Sequence, residues 1–236
     1  MAPYRYAGSE LDLFASALHW KTYLRRRIAP FYGPEVLEVG AGIGGTTRVL
    51  HDPSVRRWVC LEPDAGLAGS ISSAILEGSL PPSCEVAVGT LDALPEGSAF
   101  DTVLYIDVLE HIDDDRGELA RASRVLKPGG RLVVLSPAHQ FLFTPFDAAL
   151  GHYRRYSKST LRAIKPPDLT LDRLSYLDSA GMFLSLGNRL VLQSAHPTRR
   201  QIAFWDKVVV PCSRIIDPLL GFRVGKSVLG VWRKLG

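Results

Sequence analysis

The stretch 36–44, Val-Leu-Glu-Val-Gly-Ala-Gly-Ile-Gly, constrains the fold more than any other part of this chain. A short apolar segment with one carboxylate, Glu38, runs directly into a turn that holds three glycines. Glycine adopts backbone angles closed to other residues and lets amide groups approach a ligand closely. The pattern therefore predicts a β-strand followed by a loop that holds a nucleotide-like ligand.

The glycine pattern alone leaves the identity of that ligand open. Gly40, Gly42 and Gly45 satisfy the G-x-G-x-x-G spacing of dinucleotide-binding domains. Glu62 ends the next apolar run, roughly 20 residues further on, where a carboxylate accepts hydrogen bonds from a ribose diol. These residues fit both NAD and S-adenosylmethionine, and NAD would make the chain a dehydrogenase.

Four motifs that follow one another along the chain narrow the choice. They are Glu38-x-Gly40-x-Gly42-x-Gly44, then Glu62, then the segment 100–111 (Phe-Asp-Thr-Val-Leu-Tyr-Ile-Asp-Val-Leu-Glu-His), then 126–130 (Leu-Lys-Pro-Gly-Gly). In motif, order and spacing the chain resembles the class I S-adenosylmethionine-dependent methyltransferases over about residues 10–165. The Leu-Lys-Pro-Gly-Gly turn before a strand at 131–135 is not expected in a dehydrogenase.

The alternation of apolar segments with helical patterns predicts an α/β fold with a parallel sheet. The resemblance implies a Rossmann-like, doubly wound sheet of seven mostly parallel strands, with an antiparallel last strand and helices on both faces. The strands are expected at 36–39, 59–61, 85–88, 102–106, 132–136, 169–179 and 224–233. The helices are expected at 10–28, from 44, from about 64, from near 113, at 184–192 and at 201–219.

A single methyltransferase domain over 1–236 is the expected organisation, because the chain is rather short for two well-cored domains. Within it we expect an N-terminal helix at 10–30 and a cofactor-binding core at 36–165. The segment 181–222 is expected to be a helical insertion that covers or flanks the substrate cleft.

The resemblance implies S-adenosylmethionine as the cofactor and S-adenosylhomocysteine as its product. The glycine turn packs against the methionine half, Glu62 binds the ribose, and Asp107 lies where open α/β sheets bind ligands. For Glu38 and Tyr23, a structural carboxylate and helix packing are the alternatives. The cofactor-binding residues implied are Tyr23, Glu38, Gly40, Ala41, Gly42, Gly44, Glu62, Pro63, Thr90, Leu91, Asp107, Val108 and His111.

The acceptor site is expected just after the fifth predicted strand, at the mouth of the cleft. The segment 151–156, Gly-His-Tyr-Arg-Arg-Tyr, resembles one in small bacterial methyltransferases that act on small molecules, sugars or lipid-linked intermediates. His139 and His152 are candidate bases for a hydroxyl acceptor, with a structural role as the alternative. The substrate-binding residues predicted are Tyr153, Arg154, Arg155 and Tyr156.

The charge and the cysteine content limit which partners and cofactors are expected. The net charge of +4 comes without a basic stripe interleaved with aromatics, so a nucleic-acid substrate is not expected. Cys60, Cys84 and Cys212 are scattered and no histidine stands at zinc spacing, so no metal is predicted. The lack of an 18-residue apolar run and of a signal-peptide pattern predicts a cytoplasmic protein. A monomer or a homodimer is expected, and no feature of the sequence decides between them.

The leading hypothesis is methyl transfer to the oxygen, nitrogen or carbon of a small acceptor, in secondary or in sugar- or lipid-linked metabolism. A catalytically inactive cofactor-binding scaffold or regulatory protein is the alternative from another class. Apolar residues at 204–222 with basic neighbours also allow peripheral contact with a lipid surface. The competing interpretation is that these residues cover the sheet or a partner.

Overall fold

Seven β-strands form one sheet in the computed structural model, which describes residues 10–187 and 198–236. Their order across the sheet is 3-2-1-4-5-7-6 in chain numbering. The strands are β1 (Glu35–Val39), β2 (Arg57–Glu62), β3 (Cys84–Val88), β4 (Phe100–Ile106), β5 (Leu126–Pro137), β6 (Leu169–Leu177) and β7 (Ser227–Lys234).

The direction of the strands confirms the predicted fold class. Strands β1 to β5 pair in parallel, and β7 runs antiparallel to both of its neighbours, β5 and β6. The chain reverses its direction of travel across the sheet between β1 and β4, which are adjacent. A crevice opens beyond the carboxyl ends of strands at such a reversal, so ligands bind there.

Helices cover both faces of the sheet. One core contains Leu24, Ile71 and Val210 against one face of the strands, and the other contains Leu119 and Leu161 against the opposite face. The helices within the described ranges are α1 (Glu10–Ala15), α2 (Leu18–Ile28), α3 (Thr47–Leu50), α4 (Ala65–Leu76), α5 (Asp115–Arg124), α6 (Pro145–Ala149), α7 (Lys158–Ala163), α8 (Ser179–Gly187), α9 (Arg199–Phe204) and α10 (Val210–Leu219).

The central strands are apolar at successive positions because both of their faces are buried. Val36 and Leu104 belong to one core, whereas Leu37 and Val103, their immediate neighbours in sequence, belong to the other. A strand in the middle of a parallel sheet has this pattern because helices pack on both sides of it.

The single N-terminal helix predicted at 10–28 is wrong, because the structure divides it into α1 and α2. Ala17 precedes α2 and has no side chain that accepts a hydrogen bond from the first turn. The carboxylate of Asp206 does so instead, accepting from the backbone amides of His19 (3.2 Å) and Trp20 (2.9 Å). A cap that comes from a distant residue leaves no local sequence signal.

The predicted turn at 126–130 is also corrected. The structure places these residues inside β5, where Phe100 of β4 pairs with Leu126 and Thr102 pairs with Arg131. The intervening residues bulge out of the ladder, and Gly129 in this bulge has a φ of +77°. The motif therefore marks an irregularity within the strand and not the loop before it.

The predicted insertion at 181–222 is helical where it is described. Pro211 does not end the helix, because α9 and α10 are joined by a π-helical turn, Trp205–Val209. Proline lacks an amide hydrogen and its ring crowds the carbonyl four residues earlier, and the wider turn relieves that clash. The helix predicted at 184–192 is present up to Gly187, and the rest lies outside the described residues.

None of the helices in the described ranges combines the length and the apolar character needed to cross a bilayer.

Candidate functional site

The glycine turn after β1 keeps its backbone in conformations that side chains disfavour. Gly40 and Gly42 have φ values of +68° and +59°. A Cβ atom at Gly40 would come within 2.7 Å of Cγ2 of Val108, so a larger residue does not fit. The amide of Gly40 donates to the carbonyl of Leu61 (2.8 Å), which fixes the turn beside β2. The turn is therefore a rigid surface of bare backbone at the sheet reversal.

Glu38, just before this turn, ties β1 to α3 and β2. Its buried Oε2 accepts hydrogen bonds from Thr47 Oγ1 (2.7 Å) and Trp58 Nε1 (2.8 Å). Burial raises the pKa of Glu38 to about 7, although these two donors and the nearby Lys21 oppose the rise. Glu38 also lines a large cavity, so both roles predicted for it, ordering the turn and meeting a cation, are open to it.

Glu62 joins the end of β2 to the glycine turn. Its two carboxylate oxygens accept from the amides of Gly42 (2.8 Å) and Asp64 (3.0 Å). Burial raises the pKa of this group. Glu62 lines a small cavity of about 80 Å³ on the outer side of the turn. The other residues that line it are Leu11, Gly40, Gly42, Pro63, Leu67, Asp107, Val108 and His111.

Asp107, at the end of β4, faces the same crevice in a strained backbone conformation. Its φ is +54°, which is uncommon for a residue with a side chain. The side chain is exposed within the crevice, and the protein atoms that line the crevice displace much of the water around the carboxylate. This desolvation raises the pKa of Asp107 to about 6, and the charges of His152 and Lys226 oppose the rise. Asp107 lines both the small and the large cavity.

A cavity of about 1410 Å³ lies beyond the turn, between the sheet edge and the helices at 179–219. A cavity for one drug-sized ligand measures about 300–1,000 Å³, so this space holds more than one such molecule. Its walls are largely apolar. The aromatic residues that line it are Phe14, Trp20, Phe143, Phe146, Phe183, Phe204 and Trp205.

Arg155, Asp147 and His152 form the polar end of the large cavity. Asp147 Oδ1 lies 3.0 Å from His152 Nδ1 and accepts from Arg155 Nε (2.8 Å), and Asp147 Oδ2 accepts from Arg155 Nη2 (2.9 Å). Burial disfavours the charge of Asp147, but the hydrogen bonds from His152 and Arg155 outweigh it and lower the pKa of Asp147. This carboxylate therefore remains ionised and orients both side chains.

The other predicted substrate residues lie away from the cavity walls. Arg154 forms ion pairs with Asp113 (3.1 Å) and Asp115 (2.8 Å). The hydroxyl of Tyr156 also donates to Asp115 (2.8 Å), and its ring is buried in the core. Tyr153 is 55% exposed. Adjacent residues of this extended segment face different ways, and His152 and Arg155 are the two that line the cavity.

The two candidate bases differ in position. Nε2 of His139 lies 3.0 Å from the carbonyl of Gly225, and its ring packs on Phe141 and Tyr176. Burial lowers the pKa of His139, and the nearby carbonyl opposes that change. His139 is therefore held within the loop structure, whereas the ring of His152 lines the cavity.

Four predicted cofactor residues line neither cavity. The hydroxyl of Tyr23 donates to Asp217 Oδ2 (2.7 Å), which ties α2 to α10 instead of facing the cavity. Thr90 is exposed and Leu91 is buried in one of the two cores. Gly44 packs behind the turn, where a Cβ atom would meet Leu80 at 3.0 Å. The remaining residues predicted for this site line one cavity or the other.

The structure adds cavity residues that the sequence did not single out. Glu110 is fully buried and lines the large cavity beside His111 and His152. Burial, and then the charge of His152, lower the pKa of His111 to about 4. Lys21 and Lys226 bring positive charge to the same space. Glu110 stands in the quoted 100–111 motif, but its burial depends on packing against β5, which no local pattern reveals.

Comparison with known proteins agrees with this geometry. Residues 37–134 match the family model of a methyltransferase domain. The demethylmenaquinone methyltransferase of Tropheryma whipplei (strain Twist) is 31% identical over 158 residues, which cover 63% of this chain and 58% of that protein. The chain therefore spans less than two thirds of this relative's length.

Two further proteins extend the comparison. The ubiquinone biosynthesis O-methyltransferase of Paracidovorax citrulli (strain AAC00-1) is 29% identical over 168 residues, which cover 66% of this chain and 69% of that one. The structure of Haemonchus contortus phosphoethanolamine N-methyltransferase 2 in complex with S-adenosyl-L-methionine has a TM-score of 0.63 at 15% identity. That match covers 100% of this chain and 61% of the other, and it shows the fold alone. Residues 37–134 therefore match a methyltransferase domain, and the chain has the fold of known methyltransferases.

Proposed function

We propose that this protein transfers the methyl group of S-adenosylmethionine to a hydroxyl oxygen of a bulky, largely apolar small molecule. The observation that carries the proposal is the cavity of about 1410 Å³. It joins the glycine turn to an aromatic-walled space, and the polar residues Glu110, His111 and His152 also line it, so it offers separate places for a cofactor and an acceptor.

The residues at the turn fit the cofactor. Gly40 and Gly42 present bare backbone, and any Cβ at Gly40 would fill the space already narrowed by Val108. Glu38 and Asp107 supply carboxylates for the positively charged amino group and sulfonium, and Glu62 supplies one for the ribose hydroxyls. When bound, S-adenosylmethionine supplies a methyl group on a positively charged sulfur, which keeps the electron pair of the bond that breaks.

The aromatic walls support an apolar acceptor. Phe183, Phe204 and Trp205 face the cavity from the helices at 179–219, and Phe143 and Phe146 face it from the segment after β5. Apolar surface of this kind stabilises a ligand in proportion to the area it removes from water. The names of the two curated relatives, which refer to quinone biosynthesis, favour an aromatic or quinone-like acceptor.

The polar end of the cavity determines where the reacting hydroxyl lies. Of the two predicted bases, His152 lines the cavity, and Asp147 fixes its orientation through Nδ1. The acceptor oxygen must lose a proton during transfer, and a group held close to it assists that loss. We therefore place the hydroxyl at the Glu110, His111 and His152 end, with the apolar body of the acceptor along the aromatic walls.

The test is a methyl-transfer assay with S-adenosylmethionine that carries a labelled methyl group. The acceptor panel contains an alkyl-substituted aromatic diol, the same diol without its alkyl chain, and the matching alkyl amine. We expect label in the alkyl diol, with a lower KM than for the short diol. Labelling of the amine alone would contradict the proposed acceptor, and cofactor binding without transfer to any panel would favour the inactive scaffold.

A further inference from the structure

Glu110 is a buried carboxylate without a compensating partner. It lies in the short turn Leu109–His111 directly after β4 and is 0% exposed. Neither of its oxygens has a hydrogen-bond partner among the described residues. The Ser136 hydroxyl and the amide of Glu110 itself lie close to this carboxyl group, yet neither completes a hydrogen bond to it with acceptable geometry. Buried carboxylates of this kind are paired with charge or coordinate a metal.

Two imidazole rings stand beside this carboxylate. Glu110, His111 and His152 each offer one ligand atom, and these atoms all lie within 4.8 Å of one another. The rings of His111 and His152 meet edge to face, with centroids 4.5 Å apart. Donor atoms around a tetrahedral zinc ion are separated by about 3.4 Å, so small side-chain rotations bring the three donors onto one ion.

Both histidines are oriented as metal ligands are. His152 Nδ1 lies 3.0 Å from the carboxylate of Asp147, and the ring of His111 hydrogen-bonds to the backbone carbonyl of Leu150. A histidine that ligates a metal donates its other ring N–H to such a carboxylate or carbonyl, which fixes the tautomer and the ring orientation. Arg155 donates two hydrogen bonds to Asp147, so the carboxylate that orients His152 is itself fixed in position.

From this arrangement we propose that Glu110, His111 and His152 bind a divalent metal ion of the zinc type. Two imidazole nitrogens and one carboxylate oxygen are the donor set of catalytic zinc sites, which keep a fourth position open. All three residues line the large cavity, and His111 lines the small one as well. A ligand in the large cavity can therefore reach the open position.

The catalytic role of the ion rests on the proposed methyl transfer, whereas its binding does not. An acceptor hydroxyl at the open position would be acidified by the ion, and its proton would pass to water. His152 then acts as a ligand and not as the proton acceptor. This proposal departs from the sequence prediction of no metal, because the three ligands are separated by up to 42 positions and follow no known spacing.

The test uses zinc alone as the probe. Protein freed of metal with a chelator is titrated with Zn²⁺ by calorimetry, and with Co²⁺ by absorption spectroscopy, which reports tetrahedral coordination. We expect one ion per chain. Glu110→Gln and His152→Gln should each weaken Zn²⁺ binding by at least about tenfold. His51→Gln, which changes a histidine bound to Ser83 away from the cluster, should leave it unchanged.

Glu110→Gln is also the variant least expected to misfold, because it keeps the side-chain shape and removes a buried ionisable group without a hydrogen-bond partner among the described residues. Its metal-free melting temperature should equal or exceed that of the wild type. Wild-type protein that binds no stoichiometric Zn²⁺, or Glu110→Gln protein that binds it as tightly as the wild type, would overturn the metal site. A parallel titration with S-adenosylhomocysteine separates this failure from a failure of the proposed function.

Discussion

Gly40 shows how one residue without a side chain fits a turn beside the proposed cofactor site. Its left-handed backbone and the 2.7 Å approach of Val108 to a Cβ position are independent obstacles to any other residue. Gly78 has a similar φ of +74°, but nothing lies within 4 Å of its Cβ position. Substitutions at Gly40 and Gly78 therefore distinguish the effect of backbone strain from the effect of a steric clash.

Gly40→Ala should weaken S-adenosylhomocysteine binding by at least about tenfold, because the new methyl group pushes Val108 and the turn out of place. Gly78→Ala carries the same backbone strain, of order 1 kcal/mol, and should leave the affinity unchanged. Calorimetric titration of both variants measures the difference. Equal affinities for Gly40→Ala and the wild type would mean that the turn does not contact the cofactor.

Glu38 makes stability depend on pH in a defined direction. Its pKa rises from 4.5 to about 7 on folding because it is buried. Between these values the folded protein keeps a proton that the unfolded chain has lost, so this group's contribution to stability falls as the pH rises. The shift corresponds to up to about 3 kcal/mol.

Glu38→Gln has no proton to lose at this position. As the pH rises from 4.5 to 7, the free energy of unfolding of the wild type should therefore fall relative to that of Glu38→Gln. Above pH 7 the difference between the two proteins should stay constant. Urea unfolding at a series of pH values measures it. A difference that does not change across this window would show that Glu38 ionises normally.

At the scale of elements, the helical wall of the cavity depends on buried carboxylates that cap distant helices. Asp206 accepts from the first amides of α2, and Asp217 accepts from the amides of Asp178 (2.8 Å) and Ser179 (2.9 Å) where α8 begins. Asp217 also accepts from Tyr23. These bonds fix α2 and α8 against α10, and α2 in turn places Trp20 and its neighbours in the cavity wall.

Asp206→Ala should lower the free energy of unfolding by about 2 to 4 kcal/mol, because two amides of α2 lose a charged acceptor in a buried site. His19→Ala is the matched control, since it removes only the exposed partner of the same carboxylate and should lower it by less than about 1 kcal/mol. Urea unfolding measures both. Similar values for the two variants would mean that Asp206 does not cap α2.

The break between α1 and α2 shows where sequence reasoning stops. The apolar spacing at 10–28 is local, and it correctly predicts helical structure there. The break depends on Asp206, which is 186 residues from Trp20. The strands were predictable because apolar runs and glycine turns are local signals. The direction of the Tyr23 side chain was not, because it depends on a hydrogen bond to Asp217, which is 194 residues away in sequence.

At the scale of the molecule, the proposed function divides the cavity into a cofactor half and an acceptor half. The glycine turn, Glu62 and Asp107 are all fixed by the ends of strands, and the sequence placed them by motif. The acceptor half is assembled from α8, α9, the π-helical turn and the segment after β5, whose relative positions follow from packing. Motifs therefore predicted more of the residues that line the proposed cofactor half than of those that line the proposed acceptor half, where Arg155 and His152 are the predicted residues in the cavity wall.

Phe204→Ala should affect acceptor binding without affecting cofactor binding. Phe204 lines the cavity from α9, so its loss should raise the KM for an apolar acceptor and leave the affinity for S-adenosylhomocysteine unchanged. Leu219→Ala, at a residue of α10 that is 80% exposed, should change neither value. A fall in cofactor affinity for Phe204→Ala would show that the aromatic wall belongs to the cofactor half.

The most direct test of the whole account is calorimetric titration of the wild-type protein with S-adenosylmethionine and S-adenosylhomocysteine, with NAD as the control. The account predicts micromolar binding of both sulfur compounds at one site per chain and no binding of NAD. Binding of NAD, or of none of the three, would contradict it.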